Sequence, residues 1–281
     1  MNARFAKTIA AAASLAVAAS ALAANVTVKG SDTMVILGQK WAEVYMKGHP
    51  GTTVQVTGGG SGTGIAALLN GGTDICNASR AMKTTEVADF LKKFRARPHE
   101  YKMCFDGLSV YVSKENPVTQ LSFKQLEGIF TGKITNWKQV GGNDAPISLY
   151  GRENSSGTYE FFKEHVLSKK DFAASTKTMP GTAAVIQGVA KDANAIGYGG
   201  IAYAEGVKSI KVSKTDGGEA IAASEETVLS GKYPISRYLF CYVNPSKDSG
   251  AVADYINWCL SDAGQAVVKE VGYFPLPKNM R

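Results

Sequence analysis

The sequence predicts an α/β protein in which helices pack in layers on largely parallel strands. Short strand patterns alternate with helix patterns along nearly the whole chain. Three of the predicted strand-to-helix turns are unusually rich in Gly, Ser and Thr. The 281 residues are 44% hydrophobic and 20% charged, which is enough apolar sequence for a sizeable core. A disordered, collagen-like or coiled-coil chain is therefore excluded.

The first 23 residues predict a signal peptide. Arg4 and Lys7 precede an alanine-rich apolar run, and Ala21-Leu22-Ala23 offers the small residues of a cleavage site. The run is shorter than the ~20 residues of a membrane-spanning helix, and no Cys follows it for a lipid anchor. We therefore expect export of a soluble chain to a bacterial periplasm.

The remaining elements follow from the period of the apolar residues. Alternating or continuous apolar runs predict strands, and apolar residues three and four apart predict helices. The predicted strands are Asn25–Lys29, Thr52–Thr57, Thr73–Ser79, Met103–Ser113, Pro146–Tyr150, Ala195–Tyr198 and Tyr233–Val243. The predicted helices are Met34–Tyr45, Ile65–Leu69, Thr84–Arg95, Ser122–Phe130, Ser156–Leu167 and Ala251–Val271.

The four cysteines leave two alternatives open. An oxidising compartment permits disulfides between Cys76, Cys104, Cys241 and Cys259, and three connectivities are possible. Four buried thiols in a core are equally compatible with the sequence.

The three Gly/Ser/Thr-rich turns predict an anion site. They are residues 30–33, 58–64 and 152–158. Each turn alone reads as a helix cap, but three together would place backbone N–H groups and hydroxyls at one edge of the sheet. Arg152 and Arg80 would add forked cationic donors. The formal charge of +7, to which Arg4 and Lys7 contribute, also favours an anionic partner.

Enzymatic and nucleic-acid functions find little support. There is no nucleotide P-loop, no zinc-protease motif and no complete nucleophile elbow. His49, His99 and His165 stand in polar or helical contexts. The basic stretch 92–97 reads as the solvated face of a helix. We therefore predict no catalytic residues, no metal, no cofactor and no nucleic-acid partner.

The segment Ile129–Trp137, IFTGKITNW, resembles the PstS-type phosphate-binding proteins of bacterial phosphate ABC transporters. Further similarities cover essentially the whole mature chain, and they lie at 58–64, 74–80, 106–107, 116–118, 152–158, 195–198 and 233–237. The resemblance implies a type II periplasmic binding protein, whose two lobes close on phosphate about a hinge. Residues 24–112 and 235–281 would form lobe 1, and residues 113–234 would form lobe 2.

The resemblance also implies the phosphate-binding residues. The corresponding positions are Ser31, Thr33, Ser61, Gly62, Arg152, Ser156, Gly157 and Thr158. Some family members carry a Ser-Asp pair whose Asp accepts the proton of phosphate, whereas this chain has Ser79-Arg80. We therefore expect Arg80 in the site and Asp106 as the proton acceptor, with Asp32 as the second candidate. A carboxylate there would reject unprotonated sulfate.

The expected function is periplasmic capture of inorganic phosphate by a monomer, with delivery to an inner-membrane ABC permease. Two alternatives stay open at this point. The same fold could bind another oxyanion or a phosphorylated organic molecule, or the chain could be a secreted phosphate-ester hydrolase. The hydrolase would need a nucleophile beside a base or a metal, and the sequence shows neither arrangement.

Overall fold

The computed structural model describes residues 24–281, so the predicted signal peptide, residues 1–23, lies outside the described residues. The strands of this range are β1 Ala24–Gly30, β2 Thr52–Thr57, β3 Ile75–Ala78, β4 His99–Val112, β5 Gln120–Ser122, β6 Ser148–Arg152, β7 Lys177–Met179, β8 Ala195–Gly200, β9 Lys208–Ser213 and β10 Ser236–Val243. The helices are α1 Val35–Gly48, α2 Ser61–Asn70, α3 Thr84–Phe94, α4 Phe123–Phe130, α5 Gly157–His165, α6 Thr182–Lys191, α7 Glu225–Leu229, α8 Gly250–Leu260 and α9 Asp262–Val271. Among these helices none is both long and apolar enough for a membrane crossing.

The strands confirm the α/β class, but their pairing is mixed rather than largely parallel. The strand order is β2-β1-β3-β10-β4-β8-β6-β7, with β9 on β4 and β5 on β9. Strands β1, β2 and β3 pair in parallel, as do β6, β7 and β8. Strand β10 is antiparallel to β3 and β4, and β4 is antiparallel to β8 and β9. The two long strands β4 and β10 therefore join two parallel groups.

The hydrophobic core is divided where β4 passes from one group to the other. Met103 and Cys104 of β4 pack in a core with α1, α8 and α9. Leu108, Val110 and Val112 pack in a second core with α4 and α5. Both ends of the described range contribute to the first core. This division agrees with a two-lobed protein crossed by two strands, and the exact lobe boundaries stay a prediction.

Helices α6 and α7 were not predicted, and among the helix boundaries that differ from the sequence prediction two have local reasons. Helix α2 begins at Ser61, four residues early, so Ser61 and Gly62 form its first turn. The predicted C-terminal helix is two helices, because Ser261 is extended (φ −66°, ψ 169°) and its hydroxyl accepts a hydrogen bond from the Gly264 N–H at 3.3 Å. Trp41 then joins α1 to α9 by donating from Nε1 to the Gly264 carbonyl at 2.7 Å.

The segment 129–137 has a packing role in the second core. Ile129, Phe130 and Trp137 are each at most 1% exposed. A Cβ on Gly128 would lie 2.7 Å from Ile134 Cδ1, so glycine allows the loop to fold back on α4. The Trp137 Nε1 donates to the Asn194 carbonyl at 2.9 Å. The segment 129–137, which carries the family resemblance, therefore stabilises the second core.

The four cysteines are buried free thiols in this structure. Burial raises the pKa of each thiol above its ordinary value. The Cys241 thiol donates to Asn77 Oδ1 at 3.1 Å. Of the two alternatives left by the sequence, the structure has the buried thiols.

Candidate anion site

Four hydroxyls from different parts of the chain meet between the two cores. We call Thr33, Ser61, Ser79 and Thr158 the hydroxyl cluster. The Thr33 and Thr158 oxygens are 2.8 Å apart, and Ser79 Oγ lies 3.3 Å from Ser61 Oγ and 3.4 Å from Thr158 Oγ1. Each residue is at most 1% exposed. Neutral donors are therefore concentrated where water is excluded.

Two helices begin at this cluster. Ser61 is the first residue of α2, while Gly157 and Thr158 begin α5. The first turn of a helix has unpaired N–H groups and a partial positive charge, both of which suit an oxyanion. The approach is close, since a Cβ on Gly157 would lie 2.3 Å from Ser61 Oγ. Gly60 (φ +92°) is equally close to the turn before α5, because a Cβ on Gly60 would lie 2.5 Å from the Ser155 carbonyl oxygen.

Arg152 is buried and bonded on several sides. Its Nη2 lies 2.7 Å from Asp32 Oδ2, and its Nη1 donates to Thr182 Oγ1 at 2.8 Å. Glu153 accepts from Nε and Nη2 at 3.1 and 2.7 Å. Burial alone would raise the pKa of Glu153, but the hydrogen bonds and charge of Arg152 hold it below the usual range. Arg152 thus connects the 152–158 turn to the 30–33 turn.

Asp106 lies on the other side of the cluster, in a buried pair with Arg237. The Asp106 Oδ2 accepts from Arg237 Nε and Nη2 at 2.9 and 2.8 Å, and Oδ1 accepts from the Ile201 N–H at 3.1 Å. Arg237 Nη2 also donates to Thr158 Oγ1 at 3.0 Å. Asp106 therefore connects to the hydroxyl cluster through one guanidinium.

Sequence reasoning missed Arg237 as a functional candidate. It noted residues 233–237 only as part of the family resemblance. A signal was available, because Arg237 is the one charged residue within the predicted strand Tyr233–Val243. A charge in the middle of an apolar strand needs a buried partner, and Asp106 on the adjacent strand is that partner.

The other predicted site residues lie at the edges of the cluster. Ser31 follows β1, and its N–H donates to the Asn77 carbonyl at 2.8 Å. Ser156 caps α5, its Oγ accepting from the Tyr159 N–H at 3.3 Å. The Gly62 N–H donates to the Ser155 carbonyl at 2.9 Å, which joins α2 to the turn before α5.

Arg80 is the predicted site residue that the structure does not bring to the cluster. Its Nη1 and Nη2 form a two-point pair with Glu86 at 2.8 Å each, and Nη1 also donates to the Ala81 carbonyl at 3.0 Å. The side chain lines a cleft of about 530 Å³ together with Phe161 and Arg237, and Arg237 also bonds to Thr158 of the hydroxyl cluster. The direction of the side chain could not be read from its place after β3.

The residues thus assembled can hold a small oxyanion and discriminate by its protons. They supply hydroxyl and N–H donors, a guanidinium and a carboxylate that can accept. Among residues 24–281 no three His, Cys, Asp or Glu side chains are placed to hold a metal ion.

Comparison with known proteins places the chain in one family. A family model described as "PBP superfamily domain" matches residues 16–263. The phosphate-binding protein PstS of Pseudomonas aeruginosa is 36% identical, over 92% of this chain and 85% of that protein. Protein SphX of Synechococcus elongatus is also 36% identical, over 92% of this chain and 80% of that protein.

Solved structures show the same relationship. A Clostridium perfringens substrate-binding protein of the phosphate ABC transporter class, solved with bound phosphate, has a TM-score of 0.82 and 30% identity, covering 90% of this chain and 100% of that chain. An ABC-type phosphate transport receptor from Vibrio cholerae has a TM-score of 0.72 at 30% identity, with the same coverage.

The Arg80–Glu86 pair generates a prediction about stability. Burial alone would raise the pKa of Glu86, but hydrogen bonds from Arg80 and the Lys83 N–H hold it below its ordinary value of 4.5. A lowered pKa stabilises the fold above the unfolded pKa, and this contribution is lost as the pH falls through the folded pKa. Glu86→Gln is therefore expected to lower the free energy of unfolding by about 1–3 kcal/mol at pH 7, with a smaller difference below pH 4.5.

Urea unfolding of both proteins at pH 7 and pH 4 measures this. Glu164→Gln is the control, because the Glu164–Lys169 pair is exposed and 4.0 Å long. A Glu86→Gln difference that is absent at pH 7, or larger in acid, would contradict the prediction.

Proposed function

This chain belongs to the PBP superfamily, in the family of the phosphate-binding PstS proteins, and we propose that it captures inorganic phosphate between its two cores and delivers it to an ABC permease. The observation that carries the proposal is the site itself: four buried hydroxyls meet where two helices begin, Arg237 of the buried Asp106–Arg237 pair bonds to one of them, and Arg152 bonds to Asp32 in the turn that carries another. The function is binding and transport rather than catalysis, in keeping with the relatives, which are named as binding proteins and transport receptors. The compartment is the periplasm, where the predicted signal peptide would deliver a monomer.

In the proposed phosphate site, the hydroxyls, the helix N–H groups and the arginines have separate roles. Thr33, Ser61 and Thr158 donate to the anion oxygens, as do the N–H groups of the first turns of α2 and α5 other than those of Gly62 and Tyr159, which bond to Ser155 and Ser156. Arg152 supplies a guanidinium that is already oriented by Asp32 and Glu153. Ser31, Gly62, Ser156 and Gly157 shape the turns that carry these donors. Arg80 is assigned no direct contact in this proposal, because its Nη groups bond to Glu86 and Ala81 and its buried Nε has no hydrogen-bond partner among the residues of the hydroxyl cluster.

Asp106 supplies selectivity rather than attraction. Phosphate near neutral pH carries protons, whereas sulfate is fully ionised. The Asp106 Oδ1 accepts one backbone N–H and has capacity to accept another proton. A P–OH group can fill that capacity, while a sulfate oxygen would face the carboxylate with lone pair against lone pair. Asp32 is the second candidate, because its side chain is 17% exposed, whereas that of Asp106 is fully buried, where an unpaired lone pair costs most.

The function is tested by calorimetric titration of the phosphate-stripped mature chain. We expect tight one-to-one binding of phosphate near neutral pH and no competition from sulfate. Binding of sulfate with equal affinity would favour a general oxyanion receptor. Absence of binding to either anion would overturn the proposed function.

The role of Asp106 makes a second prediction. Asp106→Asn replaces an acceptor by an amide that can donate to sulfate, so the ratio of phosphate to sulfate affinity should fall by about 100-fold. Competition titrations with the two anions measure the ratio. If affinity and ratio both stay at their parental values, Asp106 does not contact the ligand.

The close approach at Gly157 makes a third prediction. In Gly157→Ala the new Cβ would lie 2.3 Å from Ser61 Oγ and 2.8 Å from Ser79 Oγ, so α5 could not dock against α2. Overpacking of this kind should weaken phosphate binding about 10- to 100-fold. Gly48→Ala is the matched control, because nothing lies within 4 Å of its added Cβ. Equal phosphate affinity of the two variants in calorimetry would show that closure does not need the small residue.

A further inference from the structure

Arg237 is a buried arginine whose donors point to two different parts of the molecule. Its side chain is 2% exposed. On the side of β3 and β4, it donates to Asp106 Oδ2 from Nε and Nη2 and to the Ser79 carbonyl from Nη1 at 2.9 Å. On the side of α5, it donates to Thr158 Oγ1, and its guanidinium lies 5.3 Å from the centre of the Phe161 ring.

Arg237 is also the cation that balances Asp106. Within residues 24–281 it is the only ion-pair partner of Asp106, which is fully buried. The other titratable groups near Asp106 are Cys104 and Tyr111 of β4, Tyr203 after β8, Tyr233 before β10 and Tyr273 after α9. Burial first, and the Asp106 charge second, raise the pKa of Cys104, Tyr111, Tyr233 and Tyr273, so these groups are neutral at working pH. The pKa of Tyr203 is raised to about 12, chiefly by burial, with the Asp32 and Asp106 charges adding to it.

The shape of the guanidinium determines which Asp106 oxygen can meet a ligand. Both arginine bonds go to Oδ2, so Oδ1 is left with the Ile201 N–H and spare accepting capacity. A lysine ammonium carries the same charge but lacks the planar fork that sets this orientation. Charge and orientation at Asp106 are therefore separable by substitution.

We propose that Arg237 is the positioning residue of the site, because it holds Asp106 as an oriented carboxylate. Its contacts with Thr158 and Phe161 form only when α5 packs against Arg237, so the arrangement is complete only with α5 in that position. Selectivity for a protonated anion therefore depends on α5 closing on the ligand against the strands that carry Asp106 and Arg237. This inference rests on the proposed function, since it concerns how the same site reads its anion.

The test compares Arg237→Gln and Arg237→Lys with the parent in phosphate and sulfate titrations between pH 6 and pH 8. Without a cation, buried Asp106 takes up a proton and can donate to sulfate. In Arg237→Gln the ratio of phosphate to sulfate affinity should fall about 100-fold, and sulfate should bind more tightly as the pH is lowered. Arg237→Lys keeps the charge, so we expect an intermediate loss of selectivity with little pH dependence. Arg281→Gln, which removes a guanidinium bonded to Asp262 at the chain end, is the control and should match the parent.

The docking of α5 is tested by Phe161→Leu, which leaves every Arg237 hydrogen-bonding group in place. It should weaken phosphate binding a few-fold and leave the pH dependence of sulfate binding parental. A circular-dichroism melt confirms that each variant is folded, and if Arg237→Gln fails to fold, Arg237→Lys decides the matter. A parental ratio in Arg237→Lys and, where it folds, in Arg237→Gln would overturn the inference. Failure of the parent to bind phosphate would instead overturn the proposed function, so the two failures are distinguishable.

Discussion

Charge buried between two hydrophobic cores has to be paired, and the rest of the site is arranged around that requirement. Arg152 reaches Asp32 and Glu153, and Arg237 reaches Asp106, with both guanidiniums almost fully buried. An unpaired ion in this position would cost several kcal/mol, whereas each pair here is completed by further hydrogen bonds. Since Arg152–Asp32 and Arg237–Thr158 each join different segments of the chain, satisfying the charges also holds those segments together.

The division of labour follows from this pairing. The guanidiniums give most of their N–H donors to the protein, so neutral hydroxyls and helix N–H groups make up most of the donors that an anion can use. Attraction and selectivity are then carried by different groups: the donors favour an oxyanion of any kind, and the Asp106 carboxylate admits one that brings a proton. A positively charged pocket without the carboxylate would not distinguish a protonated anion from an unprotonated one.

Several features of the site follow from local rules and could be predicted from the sequence. Helix-capping chemistry located the 58–64 and 152–158 turns, and strand–helix alternation placed them at one edge of a sheet. The resemblance carried by IFTGKITNW identified the family, although in the structure that string packs the second core away from the hydroxyl cluster.

The sequence by itself therefore determined the α/β class, the family, the three turns and most of the residues that meet between the cores. Each of these depends on neighbours in the chain or on a long match to a family. The tertiary structure decided which arginine faces the cluster: Arg80 pairs with Glu86 six positions along the chain, while Arg237 pairs with Asp106 across the antiparallel strands β4 and β10. It also decided that the cysteines are buried thiols. Such outcomes depend on the register of strands distant in sequence and on competition among buried partners, which no local pattern of residues encodes.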